Sequence, residues 1–516
     1  MSSAIDDKIK KWFIPLLGFN ILLFLVWSVF LFSWSVDDLL ISARYGKNLV
    51  EHGVWNWNPT GDKVEAYTTL TYTIIPIFSE LFNINPFLIL KIFGLFLYGL
   101  TIKRLYQFKH SMLWFWLSVT FLNLYFYVFI HIYSGFETYL FAFLLFEIFL
   151  LLSGKAKFKE TYFYILLILL PLTRPEGALF AMIAFGIAFY QKQVVKKKIA
   201  LGIVLGLGAV YMVWRIKYFG HLLPNTFYVK SVSDSTFKLK ALINIYFDKI
   251  IYITVLISLL AVIKNKAVRF LGTASLLILL FLYFPSGLAT DVGSRFFFQI
   301  TFFILLGGFI IVQQLRSKSG FLIICVFLLA NSYQGWLGVP FLAKIYPIFH
   351  QGHVDIGKRL AKFNDEGYTM AVCEAGAMPY YSGWQSFDLL ALADERLARE
   401  TLTESYLEDN MPDLFLIMAE TKSTDRLILT LAPDPKREKE AIFKRFLANH
   451  PEYEYIAASK RFFNTYTISI INKNIPHYEE IKKELQENDY YSNNTKISWK
   501  KIFKQQYFLQ DIKLPE

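Results

Sequence analysis

Charge is scarce in this sequence and cysteine nearly absent. Asp, Glu, Lys and Arg make up 18% of 516 residues, against about 25% in an ordinary soluble protein. Hydrophobic residues reach 55% and gather in long runs, which excludes a soluble globular protein of this length. The two cysteines, Cys325 and Cys373, fall in a hydrophobic stretch and in the polar C-terminal region, so no disulfide between them is expected. No CxxC spacing occurs, which excludes a thiolate zinc site. Repeats and low-complexity tracts are also absent. The formal net charge of +12 does not point to nucleic acid, because the Lys and Arg concentrate in short loops between apolar runs. That is the pattern of cytoplasmic loops in membrane proteins.

Apolar runs and aromatics dominate what is present. Runs of about 18 or more apolar residues mark membrane-spanning helices, because roughly 20 residues at 1.5 Å rise cross the hydrocarbon core. Aromatic residues reach 18%, with 51 Phe and 31 Tyr; Tyr and Trp suit the interface and Phe the lipid. Lys8-Ile9-Lys10-Lys11 leads into an apolar run too long for a signal peptide and lacking a small-residue cleavage site, so the first helix is expected to stay uncleaved. It spans about Trp12 to Trp34, followed by a polar stretch to Thr68.

The next apolar piece, Leu70–Phe82, is short and reads as a re-entrant or interfacial helix. Further spans are expected at Phe87–Ile102, Leu113–Ile130, Phe136–Leu152, Tyr162–Leu172, Ala178–Tyr190, Ile199–Tyr218, Ile245–Ile263, Phe270–Pro285, Phe297–Leu315 and Phe321–Val339. If Leu70–Phe82 does not cross, all the short basic clusters fall inside: Lys103-Arg104, Lys155 to Lys159, Lys192 to Lys198, Lys264 to Arg269 and Arg316/Lys318. The sequence therefore predicts a polytopic α-helical membrane protein of about eleven transmembrane helices, N-terminus cytoplasmic. Gly202-x-x-x-Gly206 within one span reads as helix packing. Residues 1–339 form this domain.

From Pro340 to Glu516 the pattern becomes soluble and mixed. Val354–Phe363, Asp394–Leu402 and Lys436–Asn449 read as helices; Tyr368–Cys373, Asp413–Met418 and Thr465–Asn472 read as strands. A C-terminal α/β domain on the outer, periplasmic face is expected, with a basic aromatic tail from Tyr490.

With this parity the outer segments collect polar residues. They hold Asp37-Asp38, His131 with Ser134 to Thr138, Thr173-Arg174-Pro175-Glu176-Gly177, His221 with Pro224 to Lys230, and Asp291 to Phe297. Acidic residues at a membrane boundary bind a divalent metal or take a proton, and arginines hold phosphate in a bidentate fork. A transferase with a phosphate leaving group needs both. Each piece also has a structural reading. Asp37-Asp38 could cap the following helix, Ser134-x-x-Glu137 is a capping-box spacing, Pro175 suits a helix start, and Arg174 and Arg295 could reach lipid headgroups. Their shared face favours one outward site.

These stretches resemble the GT-C superfamily of polyprenyl-phosphate-sugar glycosyltransferases. The likeness is to the bacterial branch with the mycobacterial terminal arabinofuranosyltransferase and the flagellar motor control proteins. Asp37-Asp38 with Arg44-Tyr45, Trp57-Asn58-Pro59, Val64-Glu65-Ala66-Tyr67-Thr68, Ser134 to Thr138, Leu172 to Gly177, Leu223 to Lys230, Ser294-Arg295-Phe296-Phe297 and Glu374-Ala375-Gly376-Ala377 carry it, in order, over about residues 37 to 390. Ala66, Ser294 and Glu374 depart from the family's usual Gly, Asp and Asp, which removes any aspartate role at the last two.

The resemblance implies a periplasmic active site in the inner membrane of a bacterium. One sugar would pass from a polyprenyl-phosphate donor to a periplasmic glycan or protein acceptor. Asp37 or Asp38 is the implied base and Glu137 a second carboxylate. These three are also the candidate ligands of a divalent cation, Mg or Mn. Arg44, Arg174, Lys230 and Arg295 are the phosphate candidates; Glu65, Tyr67, His131, His221, Asn225 and Tyr228 are the substrate-binding ones. Rival readings are a transporter or flippase for lipid-linked sugars, a non-catalytic envelope assembly factor, and a ligase using lipid diphosphate donors.

Overall fold

The structure, a computed structural model, describes residues 2–109, 111–194, 198–231, 253–254, 256–261, 263–282, 292–315, scattered positions between 322 and 338, 341–419, 438–460 and 466–487. The expected spans Ile245–Ile263 and Phe321–Val339 lie largely outside these residues, and the tail from Tyr490 lies wholly outside them.

Apolar runs broken by Gly, Pro and polar pairs make the helices α1 (Ser2–Leu31), α2 (Leu39–His52), α3 (Leu70–Leu81), α4 (Pro86–Gln107), α5 (Met112–Leu124), α6 (Phe126–Tyr133), α7 (Thr138–Leu152), α8 (Glu160–Thr173), α9 (Gly177–Tyr190), α10 (Lys198–Phe219), α11 (Asn225–Ser231), α12 (Lys266–Leu282) and α13 (Arg295–Leu315). They alternate between two ends of a bundle. At one end Val36 N–H donates to Ser134 O, Lys91 to Phe32 O, and Thr71 to Thr173. At the other, Arg104 and Tyr162 donate to Glu147, Gln191 to Leu152 O, and Asn265 to Ser153 O. Lys103-Arg104, the basic residues of 155–159, Lys192 and the basic residues of 264–269 lie at or next to the second end in the chain.

α3 begins beside Thr173 and ends with Glu80 accepting from Tyr380, which belongs to the C-terminal domain. Both of its ends meet elements of the first end. The helix therefore lies along that end, as its length of about 18 Å allows.

The spans are shorter than expected. Among the described residues, Phe13–Leu31, Pro86–Gln107 and Ala200–Phe219 are long and apolar enough to cross a membrane; α5 and α6, bent by 64°, make a fourth if read as one broken span. Eleven full-length spans are not seen among the described residues. α7, α8 and α9 have 14 or 15 residues, hence about 21–23 Å against a hydrocarbon core of about 30 Å. α7 explains why this works: all its residues are buried, so it meets protein and need not match lipid thickness. Gly202 and Gly206 correct a second expectation. A side chain added at either would meet nothing within 4 Å, so the pair packs no neighbour among the described residues.

The C-terminal part is a five-stranded mixed sheet between helices. Its strands are β1 (Thr369–Val372), β2 (Gln385–Asp388), β3 (Leu414–Ala419), β4 (Tyr453–Lys460) and β5 (Tyr466–Asn472), in the order β2-β1-β3-β5-β4. β1 runs parallel to β2 and β3; β5 is antiparallel to β3 and β4. Side chains alternate between the faces. Met370, Val372, Leu414 and Leu416 pack under α14 (Tyr346–Leu360) and α18 (Tyr478–Gln486). Ala371, Phe415 and Ile417 pack with Leu407 of α16 (Glu404–Asn410) and with Phe443 and Phe446 of α17 (Glu438–Asn449). A short helix, α15 (Ala377–Ser382), connects β1 to β2.

The expected helix at Asp394–Leu402 is instead a run of turns. Asp394 spends its carboxylate on Leu397 N–H and the Tyr406 hydroxyl, local bonds that compete with helix. Cys325 and Cys373 form no disulfide.

Candidate functional site at the domain junction

The first end of the bundle meets the α/β domain at Asp37. This residue follows α1 on a turn whose Trp34 indole donates to Ile130 O. Asp37 is 2% exposed. Its Oδ1 accepts from Ala377 N–H at 3.0 Å and lies 3.5 Å from His350 and 3.9 Å from His353, both on α14. Gly376 is required here, because any side chain would strike the Asp37 carboxylate and backbone. Burial alone would raise the Asp37 carboxyl, but the two imidazoles outweigh it and hold it well below the usual carboxylate range. Sequence reasoning missed both histidines, although their spacing of three on one helix face was a legible signal.

Asp38 differs from its neighbour: it is exposed, at the start of α2, and makes no side-chain capping bond. The capping reading of the pair therefore fails. The Tyr346 hydroxyl accepts from Asp37 N–H, and burial first, then the Asp37, Asp38 and Glu374 carboxylates, push its ionisation up.

A second cluster adjoins the turn whose Ser134 O accepts from Val36 N–H. Glu137 pairs with Arg174, which also holds Glu176 at 2.5 Å. Ser134 Oγ accepts from Phe136 N–H, and Glu137 makes no capping bond, so the capping box does not form. The Arg174 and Arg295 guanidiniums both lie 5.1 Å from the Phe296 ring centre, and Arg295 also covers Phe136 at 4.9 Å. Gly177 admits no side chain, because one would meet the Leu170 backbone; this close approach folds α8 tightly onto α9. His131 bonds Gly293 O at 2.9 Å and packs on Phe298. It pins the Gly293–Ser294 turn, both of whose residues have left-handed backbones.

Several candidates turn out to be braces. The Arg44 guanidinium is 1% exposed and donates to Trp57 O, Asn58 Oδ1 and Trp384 O. Burial lowers it to about 9. It clamps the first loop to the α/β domain through Nε and Nη2, while Nη1 is buried without a hydrogen-bond partner. Tyr67 accepts from the Trp55 indole and stands edge-on to Tyr45. Asn225 donates to Ala391 O, Leu392 O and Asp394 O. Lys230 lies in α11, and its side chain is outside the described ones.

Glu65 and His221 line a shallow cleft, with space for about one water, between the first loop, the 219–225 turn and the α/β domain. His221 meets Glu395 at 2.5 Å, and Arg399 covers the Tyr228 ring. Glu65 pairs with Arg215 of α10 at 2.6 Å, a partner the sequence did not reveal, and burial raises its carboxyl to about 7.

A metal fit fails at the expected trio. Among the described residues no group of three His, Cys, Asp or Glu is arranged to hold a metal. Asp37 is committed to imidazoles and a backbone N–H, and Glu137 to Arg174. Asp37, Asp38 and Glu137 do not form a shared ligand set.

Comparison with known proteins gives one family match: residues 344–478 match a domain of unknown function (DUF8728). This covers the α/β domain from just before α14 to the start of α18. No curated protein and no solved structure matches the chain.

Proposed function

We propose that this protein is a membrane glycosyltransferase. It moves one sugar from a polyprenyl-phosphate donor to a glycan or protein acceptor on the periplasmic side of a bacterial inner membrane. The observation that carries the reading is convergence. Stretches near residues 37, 135, 174, 295 and 376, far apart in sequence, meet at one end of the bundle. Val36 bonds Ser134, Glu137 bonds Arg174, Arg174 and Arg295 share Phe296, and Asp37 bonds Ala377. The opposite end carries the basic loops, which supports a cytoplasmic N-terminus and a periplasmic α/β domain.

In this reading Asp38, the exposed acid, is the general base, and buried Asp37 fixes the loop that presents it. The acceptor hydroxyl oxygen attacks the anomeric carbon and its proton passes to Asp38. The bond from that carbon to the phosphate oxygen breaks, and polyprenyl phosphate leaves with the electron pair. Arg295 and Arg174, stacked at the membrane end of the site, offset its charge. No step is assigned to a divalent cation.

The test compares envelope glycans of the native host with strains carrying Asp38→Asn or Asp37→Asn, at matched protein levels. Asp38→Asn is expected to remove the same single sugar as deletion of the gene. Normal glycans in both variants would overturn the transfer reading. They would favour an assembly role, to which the braced burial of Asp37 and Arg44 also fits.

A further inference from the structure

The helix α3 has two unlike faces. Tyr72, Thr73, Pro76 and Ser79 are buried. On that side α2 comes close: a Cβ on Gly46 would stand 3.1 Å from Ile77 N. Ile74, Phe78, Leu81 and Phe82 lie on the other side, at 42, 50, 60 and 69% exposure. Their spacing of four, then three, then one marks a single helical stripe. A contiguous apolar stripe is an interaction surface, unlike apolar residues scattered singly.

The stripe continues beyond α3, and its continuation names the partner. Ile84 in the following turn and Leu88, Ile92 and Phe96 of α4 are exposed as well. The last three stand four residues apart, on one face. α4 is among the helices long and apolar enough to cross a membrane. It runs from the first end of the bundle, where Lys91 bonds Phe32 O, to the second, where Arg104 bonds Glu147. Lipid chains cover the outward apolar face of such a helix. α3 carries the same kind of face round the corner, along the end of the bundle. Its charge agrees. Helices held on a membrane by anionic headgroups carry Lys and Arg on the polar side, and α3 has neither. Its one acid, Glu80, accepts from the Tyr380 hydroxyl at 2.5 Å. Protein therefore occupies the polar side, and the apolar side suits lipid chains without requiring anionic lipid.

α3 is also the shelf on which the α/β domain rests. Its last turn holds Tyr380 through Glu80, and Lys47 of α2 donates to Tyr380 O at 2.9 Å. Its first turn meets Thr173, next to Arg174. We propose that the bilayer leaflet at the first end is the partner of this surface: α3 lies among the lipid chains with Ile74, Phe78, Leu81 and Phe82 immersed, and that contact seats the α/β domain on the bundle. Out of lipid the stripe would face water, and α3 would turn to bury it, carrying Glu80 away from Tyr380. The bilayer is thus a structural part of the junction. This holds apart from the transfer reading, and neither measurement below uses sugar transfer.

Both measurements use the full chain in lipid nanodiscs. Nitroxide labels are placed through Phe78→Cys, Leu81→Cys and, as a control on the exposed part of the first loop, Asp62→Cys, each with Cys325→Ser and Cys373→Ala. Power-saturation EPR is expected to find the labels at 78 and 81 open to oxygen and shielded from a nickel chelate, and the label at 62 the reverse. The result should be the same in phosphatidylcholine alone and with phosphatidylglycerol added. The second measurement is protease cleavage between bundle and α/β domain. Phe78→Gln with Leu81→Gln should speed it at least about fivefold, because cleavage follows local opening. Phe78→Leu with Leu81→Met should leave it unchanged. Access of the nickel chelate to both stripe labels would overturn the proposal, since the face then meets water. Shielding from both reagents would overturn it too, since a second copy or another stretch of this chain then covers the face. If the labels behave as expected and the glutamine pair leaves cleavage unchanged, lipid does not seat the domain and that half of the proposal falls.

Discussion

Removing Arg174 tests how the second cluster is built. Its guanidinium serves two acids, Glu137 and Glu176, and all three side chains are at least nine-tenths buried. Arg174→Met strands both carboxylates. Breaking a buried pair by deleting one partner costs about 3–5 kcal/mol, because the remaining charge stays desolvated. Glu137→Met is milder, since Arg174 keeps Glu176; one remaining charge-assisted bond is worth about 1.5–3 kcal/mol, so the loss should fall near 1–2 kcal/mol. Stability is read by denaturant titration in mixed micelles, following tryptophan fluorescence. The triple change Arg174→Met, Glu137→Met, Glu176→Gln should recover most of the loss, since an apolar replacement of a buried ion cluster is close to neutral. On the proposed transfer reading, sugar transfer in the host should stay lost, because Arg174 would no longer face the leaving phosphate. Equal losses for the two single variants would refute the shared-guanidinium reasoning. Recovery of transfer in the triple variant would refute a phosphate role for Arg174.

At the opposite end, Arg104→Leu should destabilise the bundle by about 3 kcal/mol or more by stranding Glu147, and adding Glu147→Leu should restore it, measured by the same titration. Gly376→Ala should cost about 1–3 kcal/mol by overpacking against Asp37, and protease cleavage between bundle and domain should accelerate. Asp388 is fully buried, and desolvation raises its carboxyl to about 7 despite bonds from Leu390 and Ala393 N–H. The folded chain therefore keeps a proton that the unfolded chain loses near pH 4, so this group's contribution falls as pH rises from about 4 to 7. The wild-type melting temperature should drop across that window more steeply than that of Asp388→Asn; parallel curves would remove Asp388 as the cause.

Periodicity made much of the fold legible. Short apolar runs located β1 and β3, alternation located β5, and basic loops located the end of the bundle where charge collects. β2 and β4 escaped because Gln385–Asp388 is only four residues and Tyr453–Lys460 carries charged residues at both ends. Span length escaped for a different reason: apolar runs record that a helix is buried, not whether lipid or protein buries it, and α7 is buried by protein. The polar residues of the site were legible as a set, but their roles were not. Arg44 reads as a free cation until Trp57 O, Asn58 and Trp384 O are seen to engage its Nε and Nη2. Arg215 and His353 were hidden because their partners lie 150 and more than 300 residues away.

The bond from Ala377 to Asp37 spans 340 residues of chain. At synthesis rates of about 5–20 residues per second, Asp37 waits roughly 17–70 s after its own emergence before that partner exists. During that time the first loop is a solvated acidic segment tethered by α1, and it must remain uncommitted. Two consecutive aspartates suit this interval, since they stay hydrated where an apolar pair would collapse into the bilayer surface. The chain's first loop is thus completed by a segment made much later, and a truncation anywhere before residue 377 leaves the bond from Ala377 to Asp37 unmade however well the bundle has formed.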